Sequence, residues 1–162
     1  MRGRLSERVA IVTGGAGGIG SAVARARAAE GASVVIADIR DAEGTDLAAG
    51  LGGRSRFQHL DVTGEDDWRR AVTATERDLG PVPPDRVRVC SVHPGAIRTP
   101  MTAGFGDAYT AGQPIPRFGE PEEVARLVLF IVTDATFSTG CEFIVDGGIL
   151  AGAPAVLTPD DD

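Results

Sequence analysis

The tract RVAIVTGGAGGIGSAVA, residues 8–24, leaves this chain few folds to choose from. Its first part is short, apolar and β-branched, which reads as a strand buried on both faces. Glycines follow at once. Good helix formers then run to a stopping Gly31. A strand that passes straight through glycine into a helix is the first half of a parallel strand–helix–strand unit.

The rest of the chain keeps that alternation. SVVIAD (33–38) is a second buried strand, DAEGTDLAAGLGG (41–53) a weaker helix and RFQHLDVT (56–63) a third strand. Thr63 is placed to cap the next helix, EDDWRRAVTATERDLG, whose first turn is acidic. On it Trp68, Val72, Thr75 and Leu79 share one face, the core stripe of an amphipathic helix. After the proline-rich stretch PVPPD come a strand within RVRVCSVHPG (86–95), a Gly- and Pro-rich loop over 96–119, and the helix PEEVARLVLFIVTD (121–134). That helix has Pro121 at its first position and buries Val124, Leu127, Val128 and Ile131. CEFIVDGG (141–148) is the final strand. The pattern is α/β with a mostly parallel sheet of five strands, near 8–13, 33–37, 56–60, 87–92 and 142–146.

The glycine-rich turn carries chemistry as well as shape. Gly14, Gly18 and Gly20 let the chain turn sharply and let backbone N–H groups approach a pyrophosphate at the helix N-terminus. With a strand before it and a helix after it, the turn points to nucleotide binding. Asp38 ends the second strand 18 residues after Gly20, close to the roughly 20 expected of a dinucleotide site. A carboxylate there accepts hydrogen bonds from both ribose hydroxyls and repels a 2′-phosphate. NAD is therefore favoured over NADP, although Arg40, two residues on, is a group that can accommodate that phosphate.

Totals bound the partners. The chain has 162 residues, enough for one domain (1–162) with a real core. Its net charge of −7 argues against nucleic acid and anionic membranes. No apolar run approaches the ~20 residues of a membrane span, and the first 15 residues do not read as a signal peptide. Cys90 and Cys141 make no metal spacing with His59 or His93 and read as buried free thiols, consistent with a cytoplasmic chain. His59 reads as packing and His93 as a loop anchor.

Together these motifs resemble the short-chain dehydrogenase/reductase family. TGGAGGIG is similar to its Thr-Gly-x-x-x-Gly-x-Gly motif. LDVT is similar to its adenine-contacting Asp-Val, carried here by Asp61 and Val62. VHPGAIRTPM is similar to its Pro-Gly motif, Pro94 and Gly95, after which Ile97 and Thr99 would contact the nicotinamide carboxamide. Residues 117–148 are similar to its C-terminal block, and the wording SVHPG…TPMTA is most similar to the family's 3α/20β-hydroxysteroid dehydrogenases. The resemblance implies a Rossmann-like doubly wound parallel sheet. It also implies a cofactor site over Gly14, Gly17, Gly18, Ile19, Gly20, Asp38, Ile39, Asp61, Val62, Pro94, Gly95, Ile97 and Thr99. The implied reaction is hydride transfer to or from a small-molecule secondary alcohol or ketone, of which a hydroxysteroid is one example.

The family's acid–base residues are an Asn, a Ser and a Tyr-x-x-x-Lys helix. This sequence contains no lysine and no asparagine, since all 16 of its basic residues are arginine. The one tyrosine, Tyr109, lies in the 96–119 loop with Arg117 as its nearest basic residue in sequence. A tyrosine, with a pKa of ~10, needs a neighbouring cation to act near neutrality, and Tyr109 reads as packing. The resemblance also implies that two strand–helix units, on the order of 30 residues each, are absent at a junction near residues 80–85. Two outcomes are open: a sheet left with a gap beside the strand at 8–13, folding poorly, or a closed five-stranded sheet in the order 3-2-1-6-7 of the family's strands, with the strand at 87–92 beside the one at 8–13, and the second is the one expected. With helices of the missing part gone, only the last helix and strand remain for self-association. Two readings follow: an oxidoreductase without its acid–base half and so inactive, or a non-catalytic nucleotide-binding module, which includes a defective truncated product. Residues 151–162 read as a tail.

Overall fold

A computed structural model describes residues 3–80 and 87–152. The expected junction near 80–85 and the tail lie almost wholly outside these. Alternation is as read: β1 (Val9–Thr13), α1 (Gly18–Ala29), β2 (Ser33–Asp38), α2 (Asp41–Leu51), β3 (Arg56–His59), α3 (Glu65–Leu79), β4 (Ser91–Pro94), α4 (Pro121–Thr133) and β5 (Glu142–Val145). Short 3₁₀ turns punctuate the loops, two of them at Pro100–Thr102 and Asp107–Tyr109.

β2 is the centre of the first sheet. All six of its residues are buried, as expected of a parallel strand covered on both faces. It pairs in parallel with β1, Val9 opposite Ser33 through Thr13 opposite Ala37, and with β3, Val35 opposite Arg56 through Asp38 opposite His59. Ile36 and Val34 join Leu47, Ala24 and Leu129 in the main core. On the other face Ala37 and Leu60 meet Ala71 of α3.

The closed five-stranded sheet does not form. β1, β2 and β3 make one sheet, and β4 and β5 make a separate parallel pair, Ser91 opposite Glu142 through Pro94 opposite Val145. The cause is visible at Arg88. Its guanidinium donates to the carbonyls of Ile131 (2.9 Å), Ala135 (3.0 Å) and Ser138 (3.0 Å), which ties the approach to β4 to the end of α4. α1 packs beside α4 and against β1 and β2, and Arg88 links α4 to the approach to β4. The strand expected from residue 87 consequently starts at Ser91, and Val87 and Val89 stand 71% and 70% exposed.

Smaller departures have local reasons. Thr63 does not cap α3. Its hydroxyl donates to Asp61 Oδ1 at 2.7 Å, and Gly64 takes the cap position. Trp68 lies partly outside the core with its indole N–H on the Val62 carbonyl (3.0 Å), while Ala71 and Thr75 are the buried positions of the helix. On α4 the buried residues are Val124, Ala125, Leu129 and Ile131, and Val128 borders the space between the sheets. Cys90 and Cys141 are half-buried free thiols.

Candidate functional site

The site assembles at the carboxyl ends of β1, β2, β3 and β4, where parallel sheets place their ligands. The turn after β1 is built for glycine. Gly14 and Gly18 have φ of +60° and +54°, in the left-handed region. A Cβ on Gly20 would stand 2.1 Å from the Gly14 carbonyl oxygen, so helix and turn close to a distance no side chain allows. The first N–H groups of α1, from Gly18, Ile19 and Gly20, have no partner within the helix and are the donors a pyrophosphate would take.

Asp38 is 6% exposed and sits beside this turn. Its Oδ2 accepts from the Ala16 N–H (3.0 Å), and its Oδ1 from the Arg40 N–H (3.1 Å). The Arg40 guanidinium closes on both oxygens at 3.4 Å. Burial by itself would raise the Asp38 pKa, but the Ala16 and Arg40 hydrogen bonds together hold it below the usual carboxylate value. The same guanidinium lies over Gly17, where a Cβ would come within 2.7 Å of Nη2. Ile39, next in the chain, is exposed.

β3 joins through the Leu60 N–H, which donates to the Asp38 carbonyl (3.1 Å). Asp61 follows directly. Its Oδ1 accepts from the Thr63 N–H (2.9 Å) and hydroxyl, which lower its pKa and orient the carboxylate. Val62 beside it is exposed.

The C-terminal part reaches the same place. Pro94 ends β4, and Gly95 donates its N–H to the Val145 carbonyl (3.0 Å). A Cβ on Gly95 would be 2.7 Å from the Asp146 backbone. Ile97 is buried. Thr99 stands next to the glycine turn: a Cβ on Gly18 would touch its Cγ2 at 3.4 Å. Thr102 was not foreseen and holds this corner. Its hydroxyl donates to the Ile97 carbonyl (2.7 Å) and accepts the Thr99 N–H (2.9 Å). The spacing T-P-M-T, a capping pattern, is the signal that could have found it.

The loop over 96–119 is pinned by Arg117, whose guanidinium forks onto both oxygens of Glu123 (2.8 and 2.9 Å). That pair, with the Glu120 N–H, pushes the Glu123 pKa down to about 2. Arg117 is thus committed away from Tyr109, which packs its ring against Phe105 and Phe118. His93 rests on the Ser91 hydroxyl (2.9 Å), and His59 on Asp41 (2.6 Å). Among the described residues no cluster of His, Cys, Asp or Glu could hold a metal, and no helix is long and apolar enough to cross a membrane.

Residues 8–84 match the family described as short chain dehydrogenase, and residues 81–150 the one described as enoyl-(acyl carrier protein) reductase. A 3-alpha-(or 20-beta)-hydroxysteroid dehydrogenase of Mycobacterium tuberculosis is 30% identical over 246 positions, spanning 94% of this chain and 93% of the relative. A cyclopentanol dehydrogenase of Comamonas testosteroni is 27% identical over 248 positions, spanning 92% and 99%. The crystal structure of a short-chain dehydrogenase/reductase from Brucella melitensis superposes with a TM-score of 0.84 at 21% identity, spanning 92% of this chain and 99% of that one. An alignment of 246 positions against 162 residues leaves at least 84 positions of the first relative with no counterpart here. The match over residues 8–84 and the Mycobacterium relative, 30% identical over 94% of this chain, agree with the glycine turn after β1: the chain belongs to the short-chain dehydrogenase family.

Proposed function

We propose that this chain binds NAD, in preference to NADP, and does not turn over alcohols or ketones at the rates of an intact oxidoreductase. The observation that carries the binding half is Asp38, buried beside the glycine turn with its carboxylate kept ionised. The turn would take the pyrophosphate on the N–H groups of Gly18, Ile19 and Gly20. Asp38 would take the adenosine ribose, with Ile39, Asp61 and Val62 flanking the adenine. Ile97 and Thr99 would contact the nicotinamide carboxamide. The bound cofactor supplies hydride transfer.

The catalytic half rests on what these residues can do with a proton. A secondary alcohol must lose one as hydride leaves, and a ketone must gain one. A positioned donor or acceptor contributes roughly 10²–10⁴-fold to such a step. Tyr109 stacks on Phe118 but is 59% exposed, Arg117 is held by Glu123 and so does not serve it, and lysine and asparagine do not occur in the sequence. The chain would orient a cofactor without moving the substrate's proton. The second reading, a non-catalytic nucleotide-binding module, differs only in that no turnover is selected for. Self-association through α4 and β5 belongs to the same proposal.

Calorimetry with NAD tests the binding half: saturable heat lost in Asp38→Ala supports it, and no heat at millimolar NAD overturns it. A turnover assay with NAD and assorted secondary alcohols tests the other half, and ordinary family rates would overturn it.

A further inference from the structure

A trough separates the two sheets. β1 forms one wall and residues 87–92 the other, and α1 and α4 form the floor. Its wider end, beside Arg8, Val9 and Val87, encloses about 970 Å³. Its narrower end, beside Cys90, Val92 and Ile131, encloses about 240 Å³.

Both walls are unused strand edges. The Ser33 N–H donates to the Arg8 carbonyl at 2.9 Å. In a parallel pair alternate residues direct both backbone groups to the same neighbour. Arg8, Ala10 and Val12 therefore face β2, and Val9, Ile11 and Thr13 direct their N–H and C=O groups away from it, along the open edge whose Val9 lines the trough. Opposite, the Ser91 N–H donates to the Cys141 carbonyl (3.1 Å) and the Gly95 N–H to that of Val145 (3.0 Å). Cys90 and Val92 then direct their N–H groups into the trough from the other side. Open strand edges are ordinarily found at the rim of a sheet, blunted or covered. Here two of them face each other inside the fold.

Charge and length specify the occupant. Arg27 and Arg8 line the wide end with no ionic partner among the described residues. Burial lowers the Arg27 pKa. The neighbouring Arg4 is already shared between Glu30 (3.0 Å) and Asp134 (3.3 Å). The two family matches meet at residues 81–84, between α3 and β4. At least 84 positions of the Mycobacterium relative have no counterpart in this chain. A strand–helix unit takes on the order of 30 residues, so the shortfall holds two of them.

We propose that the trough is a docking site for a separate polypeptide of two strand–helix units, which adds its strands in parallel between β1 and β4 and brings a carboxylate to Arg8 and Arg27. Strand addition gives such a partner its affinity through main-chain hydrogen bonds. A second copy of this chain fits less well, because docking through any one of its open edges, on β1, β3, β4 or β5, fills one wall and leaves the other bare.

The test titrates the full chain with a recombinant polypeptide comprising the stretch of the Mycobacterium tuberculosis relative that has no counterpart here. The expected result is a 1:1 complex at micromolar concentrations, with hydrogen exchange slowed at Ile11, Thr13, Cys90 and Val92. Ile11→Pro and Val92→Pro each remove one donor that faces the trough, a change an edge tolerates. Each should weaken the complex at least ~10-fold while the circular dichroism of the free chain is unchanged, and Arg27→Ala should weaken it too. No association at ~100 μM, a threshold of −5 to −6 kcal/mol, overturns the proposal. So do protection confined to other residues and full affinity in a folded proline variant. If the chain alone self-associates and protects the same amides, a second copy holds the trough and the proposal fails. Should a proline variant unfold, exchange on the unmodified chain decides.

Discussion

Arg40 folds back onto Asp38, with guanidinium nitrogens 3.4 Å from each carboxylate oxygen, and in doing so covers Gly17. The residue that would receive the ribose thus already carries a cation, and a nucleotide has to share or displace it. Asp38→Ala removes the ribose acceptor, and NAD binding should weaken at least ~10-fold, the loss of one charge-assisted hydrogen bond. Arg40→Ala keeps the acceptor but removes the group able to neutralise a 2′-phosphate. The ratio of NADP to NAD affinity should therefore fall, as read by calorimetry with both nucleotides.

Gly20→Ala and Gly50→Ala should move stability in opposite directions. At Gly20 the new methyl meets the Gly14 carbonyl at 2.1 Å, and forcing the turn open costs roughly 1–3 kcal/mol. Gly50 lies within α2 with nothing inside 4 Å of a Cβ, and alanine there should gain about 0.5–1 kcal/mol. Urea unfolding of both variants beside the parent checks the pair.

Glu123 gives a pH signature to the 96–119 loop. Its pKa falls from 4.5 to about 2 through Arg117 and the Glu120 N–H. A carboxylate depressed in the folded state stabilises fully above its unfolded pKa and loses that contribution as pH falls through its folded one. The clamp should hold above pH 4.5 and fade between there and about 2. Carboxyl NMR of Glu123 should show that low midpoint, and Arg117→Ala should carry it back toward 4.5.

Arg88→Ala should cost about 1.5–3 kcal/mol, the worth of hydrogen bonds from a charged donor, because three carbonyls at the end of α4 lose their shared partner. Exchange protection should fall first just before β4 and β5, where Val89 accepts the Gly140 N–H at 2.7 Å.

Local patterns were legible in the sequence because their causes are local. Gly14, Gly18 and Gly20 sit between an apolar run and helix formers, and the turn they make follows from those neighbours. Asp38 was legible because a strand's last residue and its distance from the turn are both sequence quantities. The sheet order was not, because pairing depends on what holds each strand from outside. Arg88 finds its acceptors 43 to 50 residues further along the chain, and no periodicity announces that. Thr99 beside Gly18 was legible only through the family resemblance, since nothing near Thr99 names its partner. Trp68 misled for a related reason: helical spacing put it on the core stripe, but its indole N–H took the Val62 carbonyl instead.

The packing of α1 beside α4 has a bearing on the order in which the molecule is made. From β1 to β3 each strand pairs with the next one along the chain, so this part can pair its strands as soon as it leaves the ribosome. The core beneath these strands is completed only once α4 has been synthesised, because Leu129 packs with Val34 and Ile36 and α4 lies against α1. Strand pairing in the N-terminal half is local in sequence, and closing its core waits on the C-terminal half.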